Sequence, residues 1–230
     1  MPVSMYPDMA ASRRPNDRLV PAPGDELCVA FANTRYWRGS APATETLSAL
    51  GDLLAWCAQA KAIDAPTVMT LEAWANRHGS EAARLFEEAI GARELIYGLF
   101  SATAAGLTVA ERDVAALNRL LAAAPARTEV AVGKGGAKDG AKDGALWRLP
   151  PAAPTAASLL APVLWSAGDL LAGQRLDRVR RCANDKCLWL FVDDSKSGTR
   201  RWCAMRACGN RAKAHRHYLR KANPPAEAAG

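Results

Sequence analysis

The chain of 230 residues is poor in aromatics, at 7%, although half of its residues are hydrophobic. With long alanine-rich stretches supplying much of that half, the composition argues against a sandwich of aromatic-rich strands and for packed helices. No uninterrupted apolar run is long enough to span a bilayer: the longest, 155–172, contains Pro162, Gly168 and Asp169. The N-terminal MPVSMYPDMAASRRPNDR lacks the apolar centre of an export signal, so a reducing, bacterial-type cytoplasm is the expected compartment. Six cysteines are too few for a disulfide scaffold of this length. There is no HExxH, Walker loop or Ser-x-Gly elbow, and His78 stands alone among polar residues, so the sequence reads as a non-enzyme.

What is present is unevenly distributed. Residues 175–221 hold 14 Lys and Arg against four Asp, a net +10, and the remainder of the chain is left at −3. A mildly acidic body with a basic C-terminal segment is the asymmetry of a protein that meets a polyanion, with a solubility patch as the competing reading. The fold class expected is mainly α with a small β component. It comprises a multihelical body over 25–174 and a zinc-ribbon or treble-clef-like module over 175–222, with disordered tails at 1–24 and 223–230.

Within the body, LCVAFAN (27–33) reads as a short buried strand. Helices are expected over 45–61 with Thr44 as N-cap, briefly after Thr70, and over 80–105 with Leu85, Ala89, Ala92, Ile96 and Leu99 on one face. A further helix follows a capping box of Thr108 and Glu111, and another covers 155–171, kinked or started by Pro162. Strands at 127–132 and 146–149 flank the repeat GAKDGAKDGA, a flexible insert at 133–145. Residues 25–173 contain enough strands and apolar helix faces to predict that the body folds without the C-terminal module.

Cys182-x4-Cys187 and Cys203-x4-Cys208 form two close pairs separated by 15 residues. Four thiolates suit one tetrahedral zinc per chain, with an iron–sulfur cluster or redox dithiols as alternatives. The spacer predicts a hairpin in which 189–192 turns at 193–198 and returns through 200–202, and the second pair opens a helix from 204 to 221. On a helical wheel Arg211 falls on the side of Cys208, beside the thiolates, whereas Lys213, Arg216 and Arg220 share a cationic stripe. With Arg180, Arg181, Arg200 and Arg201 these residues are the candidate nucleic-acid contacts. His215 and His217 are too far along the helix to ligate the same ion, and Cys28 and Cys57 read as buried hydrophobes.

The run from Cys182 to Arg211, ending in Cys208-Gly209-Asn210-Arg211, resembles the CGNR zinc finger. Upstream, LCVAFANT, GARELIYGLF and WSAGDLLAG are similar to segments of the ABATE domain of bacterial stress-linked transcription regulators. The resemblance implies DNA binding by the finger and signal sensing or dimerisation by the body. Asn33, Thr34, Arg93 and Glu94 match its polar positions, and either line a pocket for a small-molecule effector or form a buried network. Two other readings stay open: a zinc-stapled ligand-binding protein whose finger is structural or docks a protein, and an RNA-binding protein.

Overall fold

A computed structural model describes residues 17–133, 144–214 and 218. A short apolar run is compatible with either a buried strand or a buried helix, and its surroundings decide. Residues Leu27–Ala32 form helix α1, which corrects the strand expected at 27–33. Its Cys28, Val29, Phe31 and Ala32 are buried, against helices α4 (Gly79–Ala104) and α7 (Ala161–Ala172). The opening N–H groups of a helix lack partners within it. Here the Cys28 N–H donates to Ser166 Oγ at 3.0 Å, and that hydroxyl donates to the Gly24 carbonyl at 2.9 Å. The helix therefore depends on a residue of α7, far away in sequence.

The helix expected over 45–61 begins only at Leu50, as α2 (Leu50–Gln59). Thr44–Glu45 is instead a short strand, β3, antiparallel to β2 (Arg35–Tyr36). Arg93 of α4 takes the Glu45 carboxylate through two contacts of 2.6 Å, and the same group accepts the Thr46 and Leu47 N–H groups. A carboxylate so engaged cannot sit in a first helical turn. Asp52 opens α2 in its place, accepting the Ser48 and Ala49 N–H groups at 2.8 and 3.1 Å.

Helix α3 (Ala65–Ala75) starts earlier than expected because Asp64 accepts the Thr67 N–H and Pro66 fits the first turn. In α4 the five residues predicted to share a face are all buried. Helix α5 (Glu111–Ala123) starts after Ala110 without a side-chain cap, so no Thr108–Glu111 box forms. The helix expected over 155–171 is divided at Leu160 into α6 (Ala156–Leu159) and α7, where Pro162 occupies the first turn of the second piece. Lacking an N–H, proline cannot extend the first ladder but suits a new start.

Strands β4 (Glu129–Gly133) and β5 (Gly144–Leu149) pair antiparallel around residues 134–143, which lie outside the described residues, as do 1–16 and 219–230. The sheet has a third strand, β1 (Arg18–Val20), in the order β1-β5-β4. Residues 18–20 were expected in a disordered tail. They are ordered because Val20 is buried and the buried Arg18 donates to the Pro150 and Ser158 carbonyls at 3.0 and 3.3 Å.

The C-terminal module adds β6 (Val179–Arg181) and β7 (Leu190–Val192), with Val179 opposite Val192 and Arg181 opposite Leu190. Val179, Leu190 and Val192 are 1%, 0% and 3% exposed and belong to the same apolar cluster as Phe31, Ile96 and Leu164. Asn33 spans the seam: its Nδ2 donates to the Leu190 carbonyl at 2.8 Å and its Oδ1 accepts the Leu190 N–H at 3.0 Å. Tyr97 Oη donates to the Leu188 carbonyl, and Arg181 to Ser101 Oγ.

The packing therefore runs against a body that folds alone. Burying three such side chains contributes about 5–9 kcal/mol, on the scale of the ~5–15 kcal/mol that holds a domain folded. A chain ending at Gly173 is expected to lose its cooperative thermal transition in calorimetry. A transition within a few degrees of that of the full chain would restore the two-unit picture.

Candidate metal centre and cationic surface

The four cysteines converge. The Sγ atoms of Cys182, Cys187, Cys203 and Cys208 all lie within 4.8 Å of one another, positioned to chelate a metal. Cys187 and Cys203 are separated by 3.7 Å, and Cys203 and Cys208 by 3.8 Å, far beyond a disulfide bond of ~2.05 Å. A tetrahedron with metal–sulfur bonds of ~2.3 Å has edges of ~3.8 Å, so these two separations fit such a centre.

The first pair is arranged by local backbone bonds. Cys182 donates its N–H to the Trp189 carbonyl at 2.8 Å, and the Cys187 and Leu188 N–H groups converge on the Asn184 carbonyl at 2.9 and 3.2 Å. Leu188 adopts φ 53°, a left-handed conformation uncommon for a bulky side chain, which closes the turn. Asn184 Nδ2 also lies 3.5 Å from Cys208 Sγ, a donor to a thiolate of the opposite pair. For the second pair, Met205–Gly209 forms a wide helical turn in which the Gly209 N–H reaches the Ala204 carbonyl, and helix continues through 210–214.

The spacer differs from the hairpin expected. Strand β7 pairs with β6 upstream, whereas 200–202 is not a strand and makes one backbone bond, from Ala183 N–H to the Arg201 carbonyl. The turn at 193–200 is shaped by Asp193, 1% exposed, whose two oxygens accept the Ser195 and Arg200 N–H groups at 2.9 Å each. Hydrogen bonding from Ser195 and then Arg200 holds this carboxyl down to about 2. Its stabilising effect is present above the ordinary aspartate range and is lost as pH falls from about 4 toward 2. Nothing in the sequence pattern singled out Asp193 or Asn184, since Asp and Asn are ordinary turn residues.

The thiols are unequal when no ion compensates them. A hydrogen bond from Cys187 draws Cys182 down to about 5, while that same bond raises Cys187 and burial raises Cys203 to about 12. One thiolate in so crowded a group disfavours the next, and a bound cation relieves that conflict. Cys28 and Cys57 are fully buried elsewhere and burial pushes both up to about 12, as suits inert apolar packing.

The body supplies a wall of this centre. Trp37, just after β2, packs on the cysteine cluster with Trp189 and Trp202. Gly39 donates its N–H to the Lys186 carbonyl at 3.2 Å, and a Cβ at Gly39 would lie 1.7 Å from the Asp185 carbonyl oxygen. Only glycine permits that approach. The turn is held from behind by Arg38, bidentate to Glu94 at 2.6 and 3.1 Å and 3.8 Å from the centre of the Tyr97 ring.

Of the polar positions singled out in the body, Thr34, Arg93 and Glu94 come together with Glu45. Arg93, 1% exposed, donates to Glu45, to Glu94 at 2.9 Å and to Thr34 at 3.3 Å. Burial opposes ionisation of Glu45 and Glu94, but hydrogen bonds from Arg93 and Arg38 outweigh it and hold both carboxyls below their usual range. Asn33 stands apart from this group, on the seam with Leu190.

The predicted cations are dispersed over the module. Arg180 donates to the Asp177, Val179 and Gly198 carbonyls, Arg181 to Ser101, and Arg200 to the Trp202 and Cys203 carbonyls. Arg201 lies over the Trp202 ring at 5.4 Å. Arg211 is exposed and stacks on Trp37 at 4.8 Å, and shares the lining of a cleft with Cys208. Lys213 is exposed, while Arg216 and Arg220 lie outside the described residues together with His215 and His217. Among the described residues none of Arg180, Arg181, Arg200, Arg201, Arg211 and Lys213 forms an ion pair, whereas Arg38, Arg93, Arg127, Arg148 and Arg175 each meet a carboxylate.

Comparison with known families covers both parts of the chain. The model of the ABATE family, described as "Putative stress-induced transcription regulator", matches residues 25–174, and that of the CGNR zinc finger matches residues 178–221. Both are non-catalytic regulatory families. No curated protein matches the chain. Among the described residues no helix is long and apolar enough to cross a membrane.

Elemental analysis of protein purified under reducing conditions should find one metal ion per chain. Serine at any of the four clustered cysteines should abolish retention, and serine at Cys57 should not. Gly39→Ala should also weaken retention and lower the melting temperature, because its methyl group has no room against Asp185; unchanged values would show that the body's turn does not support the centre.

Proposed function

From membership of the ABATE family, to which this chain belongs, we propose that the protein is a DNA-binding transcription regulator whose finger is held by one structural zinc ion. The four-thiolate donor set and the two tetrahedral-edge separations support zinc. Such an ion would be coordinatively closed and would supply folding energy, leaving no open position for an activated water. Arg211 and the Asn184 amide would lie beside the thiolates and temper their negative charge.

The observation that carries the DNA reading is the concentration of positive charge on the finger. Residues 175–221 carry a net +10, and among the described residues Arg180, Arg181, Arg200, Arg201, Arg211 and Lys213 of that module pair with no carboxylate, while Arg175 pairs with Asp25 and Asp194. Phosphates are the natural counter-charge for such a surface. The body would sense a small-molecule effector or form a homodimer. Its seam with the finger at Asn33, Tyr97 and Gly39 is the route by which either event would reach the DNA-binding module.

The test is the salt dependence of duplex DNA binding. Replacing Lys213, Arg216 and Arg220 together by alanine should reduce the slope of log K against log salt by about 2.7, at roughly 0.9 per phosphate contact. Zinc content and melting temperature should stay close to those of the parent. Unchanged affinity and slope would remove the support for DNA contact by those three residues.

A further inference from the structure

Two clefts meet at Trp37. One, about 490 Å³, is lined by Trp37 and Trp202 with Lys186, Asn184 and Arg211; the other, about 350 Å³, is lined by Tyr36, Trp37 and Trp189 beside the cysteines. Both volumes lie in the ~300–1,000 Å³ range of small-ligand sites. Trp37 adopts φ 52°, a left-handed conformation uncommon for a bulky residue, which persists only where surroundings impose it. The turn is closed by the Ser40 N–H on the Trp37 carbonyl at 2.8 Å and by Gly39 against Asp185, and the half-buried indole packs on the cysteine cluster. On it lies the Arg211 guanidinium, a second planar surface whose charge meets no carboxylate among the described residues. Among the described residues Lys186 also forms no ion pair and adds a second cation, while Asp185 makes the wall nearest Lys186 less welcoming to an anion.

Flat aromatic and guanidinium faces joined to unpaired cations match one chemical unit, a nucleobase attached to a phosphate. Bases within a duplex are stacked on each other and cannot offer their faces, so such a site takes a base that has left the stack. We propose that Trp37, a residue of the ABATE body, is a nucleotide-binding residue: the cleft takes one unpaired nucleotide, its base against the Trp37–Arg211 pair and its phosphate toward Arg211. This rests on the nucleic-acid-binding reading and refines it, because the body then touches the nucleic acid directly. A single strand and a free nucleotide carry the same unit, and the experiment separates them.

The full-length, zinc-loaded protein would be titrated with three probes: a short single-stranded DNA carrying one 2-aminopurine, its duplex, and free 2-aminopurine deoxynucleotide. Stacking quenches 2-aminopurine, so emission should fall as the single strand binds. Quenching by the free nucleotide alone would support the cleft and assign it to a soluble ligand. Trp37→Ala should weaken single-strand binding by about 5- to 150-fold, with duplex affinity changed less than about twofold, and Trp37→Phe should recover most of the loss. Should Trp37→Ala fail to fold, the parent protein still decides the matter. Single-strand or duplex binding without quenching by any probe overturns the stacking site and leaves the DNA-binding reading standing, whereas binding of none of the three probes overturns both.

Discussion

The buried guanidinium of Arg93 is the point on which the arrangement turns. A cation with 1% of its surface exposed persists only if its hydrogen bonds and charge are met, and Glu45, Glu94 and Thr34 meet them. Those demands draw Glu45 out of α2 and into β3, which closes a two-stranded ribbon with β2. The loop of that ribbon carries Trp37 and Gly39 onto the cysteine centre. Glu94 in turn anchors Arg38, which braces the same loop against Tyr97. A charge placed deep in the helical body thus fixes a wall of the cysteine cluster far away in sequence.

The seam between body and finger is built from groups that would each be costly to leave unpaired. The Asn33 amide reproduces for Leu190 the donor and acceptor that a neighbouring strand would supply, at the inner edge of β7. Beside it Val179, Leu190 and Val192 complete the apolar core. Two family regions that meet between residues 174 and 178 therefore share one interior.

Segments that mark the family have concrete work in this chain. In the 165–173 segment, Ser166 satisfies the start of α1, while Asp169 holds Arg127 through contacts of 2.7 and 2.8 Å. In the 91–100 segment, Arg93, Glu94 and Tyr97 form the brace just described. Within the finger tetrad, Cys208 joins the sulfur cluster, and Gly209 is buried where a Cβ would lie 2.7 Å from the sulfur of Met205. Arg211 lies over Trp37 at 4.8 Å and shares a cleft with Cys208, while the Asn184 amide is 3.5 Å from the Cys208 sulfur.

Sequence alone determined the features that rest on local spacing. The paired cysteines, the buried face of α4, the β4–β5 pairing and the basic finger all follow from residue intervals or composition, and the helical class follows from alanine and the scarcity of aromatics. Only tertiary structure decided the rest. Whether 27–33 is strand or helix, where α2 begins, that residues 18–20 join a sheet, and that β7 pairs with β6 were settled by partners distant in the chain: Ser166, Arg93, the β5 edge and Asn33. Short apolar or polar segments carry too little periodicity to choose a conformation, and a buried hydrogen-bonding group accepts whichever one its distant partner can satisfy.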